Sequence, residues 1–353
     1  AGVRVGDALR GRRCVRRAGV LAVHPRRGRR RGVPSLRSQH RGERAGSVLG
    51  ALVLILYSGV LHMSDYMLWR AAFGTGVLLA ALCATLRYLY LPETIAFQAA
   101  RAAEPKDQMA SGAALVAMAP TLLGTSGCWF LYDISNYGVG IFTTAIFPSK
   151  PGLDTARLML QIIGMAAPLM ALGIVLSSIM RMRHLLLLGL GLQMVCYIAM
   201  ASLADGWGFD EGRRGHALVL FALSRGFEHL GPSIAVFSVP AQVFPTRIRA
   251  TAHGLSAAAG KLGAVAGAMA FPYMKEVFGI GGVMAAMAAV CLLNITWSQI
   301  LVPSYGPREL QALATLEAAG LPLPKQAAAA QRILAGDPED VEDLVGRAVP
   351  ISA

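Results

Sequence analysis

Charge is scarce in this sequence. Only 15% of its 353 residues are Asp, Glu, Lys or Arg, while 55% are hydrophobic and the mean hydropathy is +0.52. That balance excludes an ordinary soluble domain of this length. The five cysteines, Cys14, Cys83, Cys128, Cys196 and Cys291, are odd in number and have no metal-ligand spacing, so no zinc site follows. Four of them fall inside long apolar blocks and read as buried fillers. Neither a Gly-rich nucleotide loop nor a nucleophile elbow is present, which leaves soluble catalysis without support and implies no cofactor. A cleavable signal is also missing, since no short apolar region precedes the first long block.

What is present in quantity is apolar sequence in blocks of about 18 to 25 residues, the length an α-helix needs to cross roughly 30 Å of hydrocarbon. Spans are expected at about 46–64, 67–90, 115–146, 156–179, 183–204, 217–241, 251–273 and 279–303. The third is long and begins late. Backbone groups facing lipid must be satisfied within the segment, so these blocks are helices. The fold class is therefore all-α, a polytopic membrane protein with about eight transmembrane helices.

The net charge of +13 invites a nucleic-acid reading, but its location argues against one. Residues 1–45 hold fourteen Arg against Asp7 and Glu43, which is +12 of that total. Such an Arg-rich, acid-poor stretch fits a transit peptide, a disordered arm or mistranslated sequence at a broken gene start. The chain opens on Ala1 instead of Met, which points to truncation. No nucleic-acid partner is expected; the partner that the composition demands is the lipid bilayer.

Breaks carrying Arg101 and Lys106, Arg181 and Arg183, and Arg247 and Arg249 alternate with acidic or mixed ones. By the positive-inside rule the basic breaks face the cytosol, together with both termini. After about residue 304 the hydropathy falls, and a cytosolic tail with one surface helix is expected between Glu309 and Gln331. The acidic cluster Asp337, Glu339, Asp340, Glu342 and Asp343 reads as a solvated face.

Charges inside spans are the most informative residues here, because each costs roughly a few kcal/mol at the bilayer centre unless it meets a partner or a polar cavity. Asp133 lies mid-span and Lys261 lies among Ala257, Ala258, Ala259, Gly260 and Gly263. Trp129, Asp133 and Tyr137 are spaced four apart, so an indole N–H, a carboxyl and a phenol share one helical face. A carboxyl whose protonation follows access to water is what proton coupling needs. Lysine in this setting needs an anion. Two readings stay open: a permanent ion pair with Asp133, or a substrate anion held by Lys261 while Asp133 carries the proton. Arg225, Glu228 and His229 sit close together on one span, and an i, i+3 pair of Arg225 with Glu228 accounts for them.

The stretch Trp129-Phe130-Leu131-Tyr132-Asp133 with Tyr137-Gly138, and the run from Val239-Pro240-Ala241-Gln242-Val243-Phe244-Pro245-Thr246-Arg247 into Thr251-Ala252-His253-Gly254 and on to Gly260-Lys261, carry a resemblance. With Gly231-Pro232, Trp69-Arg70 and Leu91-Pro92-Glu93-Thr94, they make residues 41–310 similar to the phosphate:proton symporters of the major facilitator superfamily. That resemblance implies a twelve-span fold of two six-helix halves with substrate at the midplane between them, of which this N-terminally truncated chain supplies spans five to twelve. It implies two helices of the first half at 46–94, an inter-half cytosolic loop at 95–114 and the second half at 115–303, which the Arg-rich leader at 1–45 precedes and the cytosolic tail at 304–353 follows. It also implies that Trp129, Asp133, Tyr137 and Lys261 line the substrate site, with Asp133 coupled to the proton and Lys261 on phosphate. Gln242 stands where the family has glutamate and Ser233 where it has asparagine.

The function this implies is uptake of inorganic phosphate with a proton, incomplete in the fragment, at the plasma membrane, with the missing first half as a further partner. A facilitator for a sugar or an organic anion, and a non-transporting fragment, are the alternatives.

Overall fold

The computed structural model describes residues 49–50, 52–90, 108–150, 152–204, 209–318 and 322–335. Every regular element among them is helical. A π-helical turn, Leu56–Val60, leads into α1 (Asp65–Tyr90). Then come α2 (Gln108–Ala117), α3 (Ala119–Gly140), the single turn α4 (Thr143–Ile146), α5 (Leu153–Leu176), α6 (Met182–Leu203), α7 (Glu211–Leu230), α8 (Pro232–Val243), α9 (Thr246–Leu301), α10 (Pro307–Ala318) and α11 (Leu323–Ala335). The Arg-rich leader, the acidic cluster after residue 336 and most of the 95–114 loop lie outside the described residues.

Among the described residues, four helices are long and apolar enough to cross a bilayer, and α2 with α3, bent by 73° at their junction, makes a fifth. The 56-residue α9 would measure about 84 Å if straight, far more than one crossing. It breaks at Gly279, whose φ of 69° and ψ of −174° lie in a region essentially reserved for glycine. The expected spans at 251–273 and 279–303 are thus one helical run folded at a single residue. The spans expected at 46–64 and 217–241 do not meet the same criterion. Among the described residues the first is helical at 49–50 and 52–60, and 46–48 and 51 lie outside them. The second is cut at Gly231 into α7 and α8, and Arg213, Arg214, Arg225 and Glu228 lower the hydropathy of α7.

Helices in lipid gain little by burying apolar surface against one another, so close backbone approach and interhelical hydrogen bonds must hold them. Both arms of α9 lie along α3. The first arm runs parallel to it: Ser256 Oγ is 2.8 Å from Thr125 Oγ1, and Gly260, Gly263 and Gly267 back onto Trp129, Phe130 and Ile134 so tightly that a Cβ at any of them would collide. The second arm runs antiparallel, with Trp297 Nε1 donating to the Gly124 carbonyl at 3.2 Å and Asn294 Nδ2 to the Cys128 carbonyl at 3.2 Å. Helices α5, α6 and α7 pack together and complete the bundle through contacts of α6 with α9. Phe73, Leu78, Met269 and Ile300 cover outer faces, as lipid-facing surface should. Cys128, Cys196 and Cys291 are buried as expected, whereas Cys83 on α1 is exposed, because α1 packs chiefly on the π turn before it.

The tail differs from the expected single surface helix. It is two helices, α10 and α11, and both bury apolar faces, including Leu316, Ala327, Ala330 and Ile333. Glu317 accepts from the Thr246 amide (2.6 Å) and hydroxyl and from Arg249 Nη2 (3.0 Å). Gln331 Oε1 accepts from Thr121 Oγ1 at 2.6 Å, and Glu309 pairs with Arg181 at 3.6 Å. The sequence showed only loosely spaced apolar residues here and none of these partners, which come from three distant interhelical ends.

Candidate functional site

The close approach of α3 and α9 places Lys261 beside Asp133 and Tyr137. The absence of a side chain at Gly260 and Gly263 makes room for the Trp129 indole and the Phe130 carbonyl respectively, which brings the two helices close enough for Lys261 to reach α3. Its Nζ lies 3.5 Å from Asp133 Oδ2 and donates to the Tyr137 hydroxyl at 3.2 Å, with Nζ 4.9 Å from the centre of the Tyr137 ring. Burial is unequal across this cluster. The Asp133 side chain is 3% exposed and that of Lys261 64%. The ammonium therefore sits over a buried carboxylate and faces open space on its other side, which is a chemical arrangement able to accept an anion.

Trp129, the remaining expected site residue, lies one turn earlier on α3 and is buried. Its indole covers Gly260 and makes edge-to-face contacts with Phe237 (4.7 Å between centroids) and His253 (5.5 Å). The structure thus brings Asp133, Tyr137 and Lys261 into one polar cluster and sets Trp129 in an aromatic wall beside it. His253 belongs to that wall, a contact the sequence did not signal beyond its position two turns before Lys261.

A second buried network occupies the neighbouring face of α3. Arg225 and Glu228 pair on α7 as their spacing predicts, but the pair is not merely local. The Tyr132 hydroxyl donates to Glu228 Oε1 at 2.9 Å, Arg225 Nη2 donates to Asn136 Oδ1 at 3.0 Å, and Asn136 Nδ2 reaches the Tyr132 oxygen at 3.4 Å. Glu228 is fully buried. The signal that could have revealed this is a second i, i+4 stripe, Tyr132, Asn136 and Gly140, offset by one residue from Trp129, Asp133 and Tyr137.

Residues 114–316 match the model of the family described as sugar (and other) transporter. The chain is 29% identical over 206 residues to "Probable inorganic phosphate transporter 1-6" of Arabidopsis thaliana, a match covering 54% of this chain and 40% of that protein. It is 33% identical over 169 residues to "Inorganic phosphate transporter 1-4" of Arabidopsis thaliana, covering 44% of this chain and 32% of that one. It is 35% identical over 169 residues to "Low affinity inorganic phosphate transporter 3" of Petunia hybrida, covering 44% of this chain and 31% of that one. The matched stretch spans less than half the length of each of these relatives. Together with the all-helical, lipid-suited bundle, these matches place the chain among integral membrane transporters, and it belongs to the sugar (and other) transporter family of the major facilitator superfamily.

Proposed function

We propose that this chain is part of a transporter that moves inorganic phosphate together with a proton, with Lys261 and Tyr137 meeting the phosphate and Asp133 carrying the proton. The observation that supports it best is the Lys261 ammonium poised over the buried Asp133 carboxylate, with its outer side open. The names of the relatives supply the substrate class.

The chemistry follows from competition for one cation. A phosphate anion and the Asp133 carboxylate repel each other while both seek the same ammonium. Protonating Asp133 removes that repulsion and releases Lys261 to the anion; losing the proton lets the carboxylate reclaim the ammonium and expel the phosphate. Trp129 has its place in this scheme as the wall that holds α3 and α9 in register over Gly260. Residues 46–94 belong to a first half and 115–303 to the second, the basic breaks and both termini lie in the cytosol, and the plasma membrane is the site of action.

The test is uptake of radiolabelled phosphate by transport-deficient cells, at two external pH values, with native protein, Asp133→Asn and Lys261→Ala at matched membrane levels. Uptake that rises with external acidity and is lost in both variants is the expected result. Phosphate uptake unaffected by either substitution, or uptake of a sugar or organic anion without phosphate competition, overturns the reading.

A further inference from the structure

The end of the bundle opposite the tail carries a second cationic cleft that the transport chemistry above does not use. Gln331 of the tail meets Thr121 at the start of α3; the cleft lies beyond the other end of α3, where the chain passes from α4 into α5. It measures about 350 Å³, the scale of a small-ligand pocket.

Three cations line it. Lys150 comes from the α4–α5 connection, Arg157 from the first turns of α5 and Arg214 from the first turn of α7. Among the described residues that line the cleft, one carboxylate, Asp154, stands against them, 3.7 Å from Arg157. Both members of that pair are solvent-exposed, at 65% and 48%, so it is weak and leaves Arg157 able to turn to another anion. Among the described residues no carboxylate pairs with Lys150. Arg214 is held at the cleft because Nη2 donates to the carbonyl of Pro148, another lining residue, at 2.7 Å. Gln161 adds a neutral polar group on the same face of α5. The cleft sits at the N-terminal turn of a 24-residue helix, whose dipole also favours an anion.

We infer that this cleft binds a phosphate group, held by Lys150, Arg157 and Arg214. Two guanidinium forks and an ammonium converging from three segments suit the several oxygens of a phosphate better than a single carboxylate. The group can arrive as free inorganic phosphate or as the headgroup of an anionic lipid at the membrane surface. In the orientation proposed above the cleft faces outward, so a free anion would be gathered there ahead of the Lys261 site; that role rests on the transport reading, while binding itself does not.

Equilibrium binding separates the two. The full chain is purified into phosphatidylcholine nanodiscs and its binding of radiolabelled inorganic phosphate is measured for native protein, Lys150→Gln/Arg157→Gln and Lys261→Gln. In a parallel arm, retention of phosphatidylglycerol is read by native mass spectrometry. Lys150 and Arg157 are exposed and make no buried contacts, and unchanged thermal unfolding of their double variant checks that the fold persists. The expected result is that the double variant weakens one of the two ligands about tenfold, the value of one or two charge-assisted contacts, while Lys261→Gln leaves that component intact. Loss confined to inorganic phosphate identifies the free anion, and loss confined to phosphatidylglycerol identifies the lipid. Unchanged binding of both ligands in the Lys150→Gln/Arg157→Gln protein overturns the site. Failure of the transport reading would appear instead as uptake indifferent to Asp133 and Lys261.

Discussion

Tyr132 and Asp133 are adjacent in the chain yet serve different partners: the Tyr132 hydroxyl donates to Glu228 on α7, while Asp133 accepts from Lys261 on α9. Neighbouring helical positions differ by about 100°, so α3 presents a charged contact to each of two helices. Rotation of α3 would disturb both at once.

The ion pair on the α7 side should be costly to break by halves. Glu228→Gln leaves the Arg225 guanidinium without its full counter-charge in a buried setting, a loss of about 3–5 kcal/mol. Replacing both residues by leucine should recover most of it, because the desolvated charges are then both gone. Thermal unfolding in detergent of Arg225→Leu, Glu228→Leu and the variant with both leucines gives the coupling energy; additive effects would show that the two charges do not act as a pair.

Packing of α3 on α9 predicts a sharp contrast between two glycines of one helix. Gly263→Ala drives its Cβ into the Phe130 carbonyl, whereas Gly254→Ala meets open space. The first should destabilise by about 1–3 kcal/mol. The second should be neutral or stabilise by up to about 1 kcal/mol. Equal melting temperatures for the two variants would contradict the close approach.

The tail gives a prediction readable by hydrogen exchange. Glu317→Ala removes the acceptor of the Thr246 amide and the partner of Arg249. Amides at 246–249 should exchange faster, and trypsin should cut sooner at Lys325 and Arg332 in α11. Protection unchanged at both places would mean that the apolar face of the tail alone fixes it.

Within the site, Tyr137→Phe retains the ring beside Lys261 but removes its hydroxyl acceptor. Its effect on phosphate uptake should be a loss smaller than that of Lys261→Ala, about the value of one hydrogen bond, roughly five- to tenfold. A loss as complete as that of Lys261→Ala would assign the hydroxyl a larger part in the chemistry.

Much of this was legible from the chain alone. Apolar blocks of membrane length gave the helical class, and the spacing of Asp133 and Tyr137 with an intramembrane Lys261 pointed to residues that the fold brings together, while Trp129, expected beside them, stands in the aromatic wall. The misses share a physical cause. Periodicity says which residues share a face, not which helix that face meets, so the contacts of Asn136 with Arg225 and of Glu317 with Thr246, across 89 and 71 residues, left no local trace. Hydropathy likewise registered 217–241 as one block, though Gly231 splits it. The tail was underestimated because its alanine-rich face is only weakly apolar, and its docking depends on Thr121, Arg181 and Thr246 being brought to the same end of the bundle.

The fold of α9 at Gly279 bears on how the chain is made. A link of one residue closes with almost no entropy to lose and leaves no loop between one helix and the next. Both arms are therefore expected to enter the bilayer together as a hairpin, with Lys275 and Glu276 just before its tip at Gly279. An L-residue at 279 would oppose that hairpin before any tertiary contact formed, so the defect would appear during synthesis as failed insertion of the last two helices.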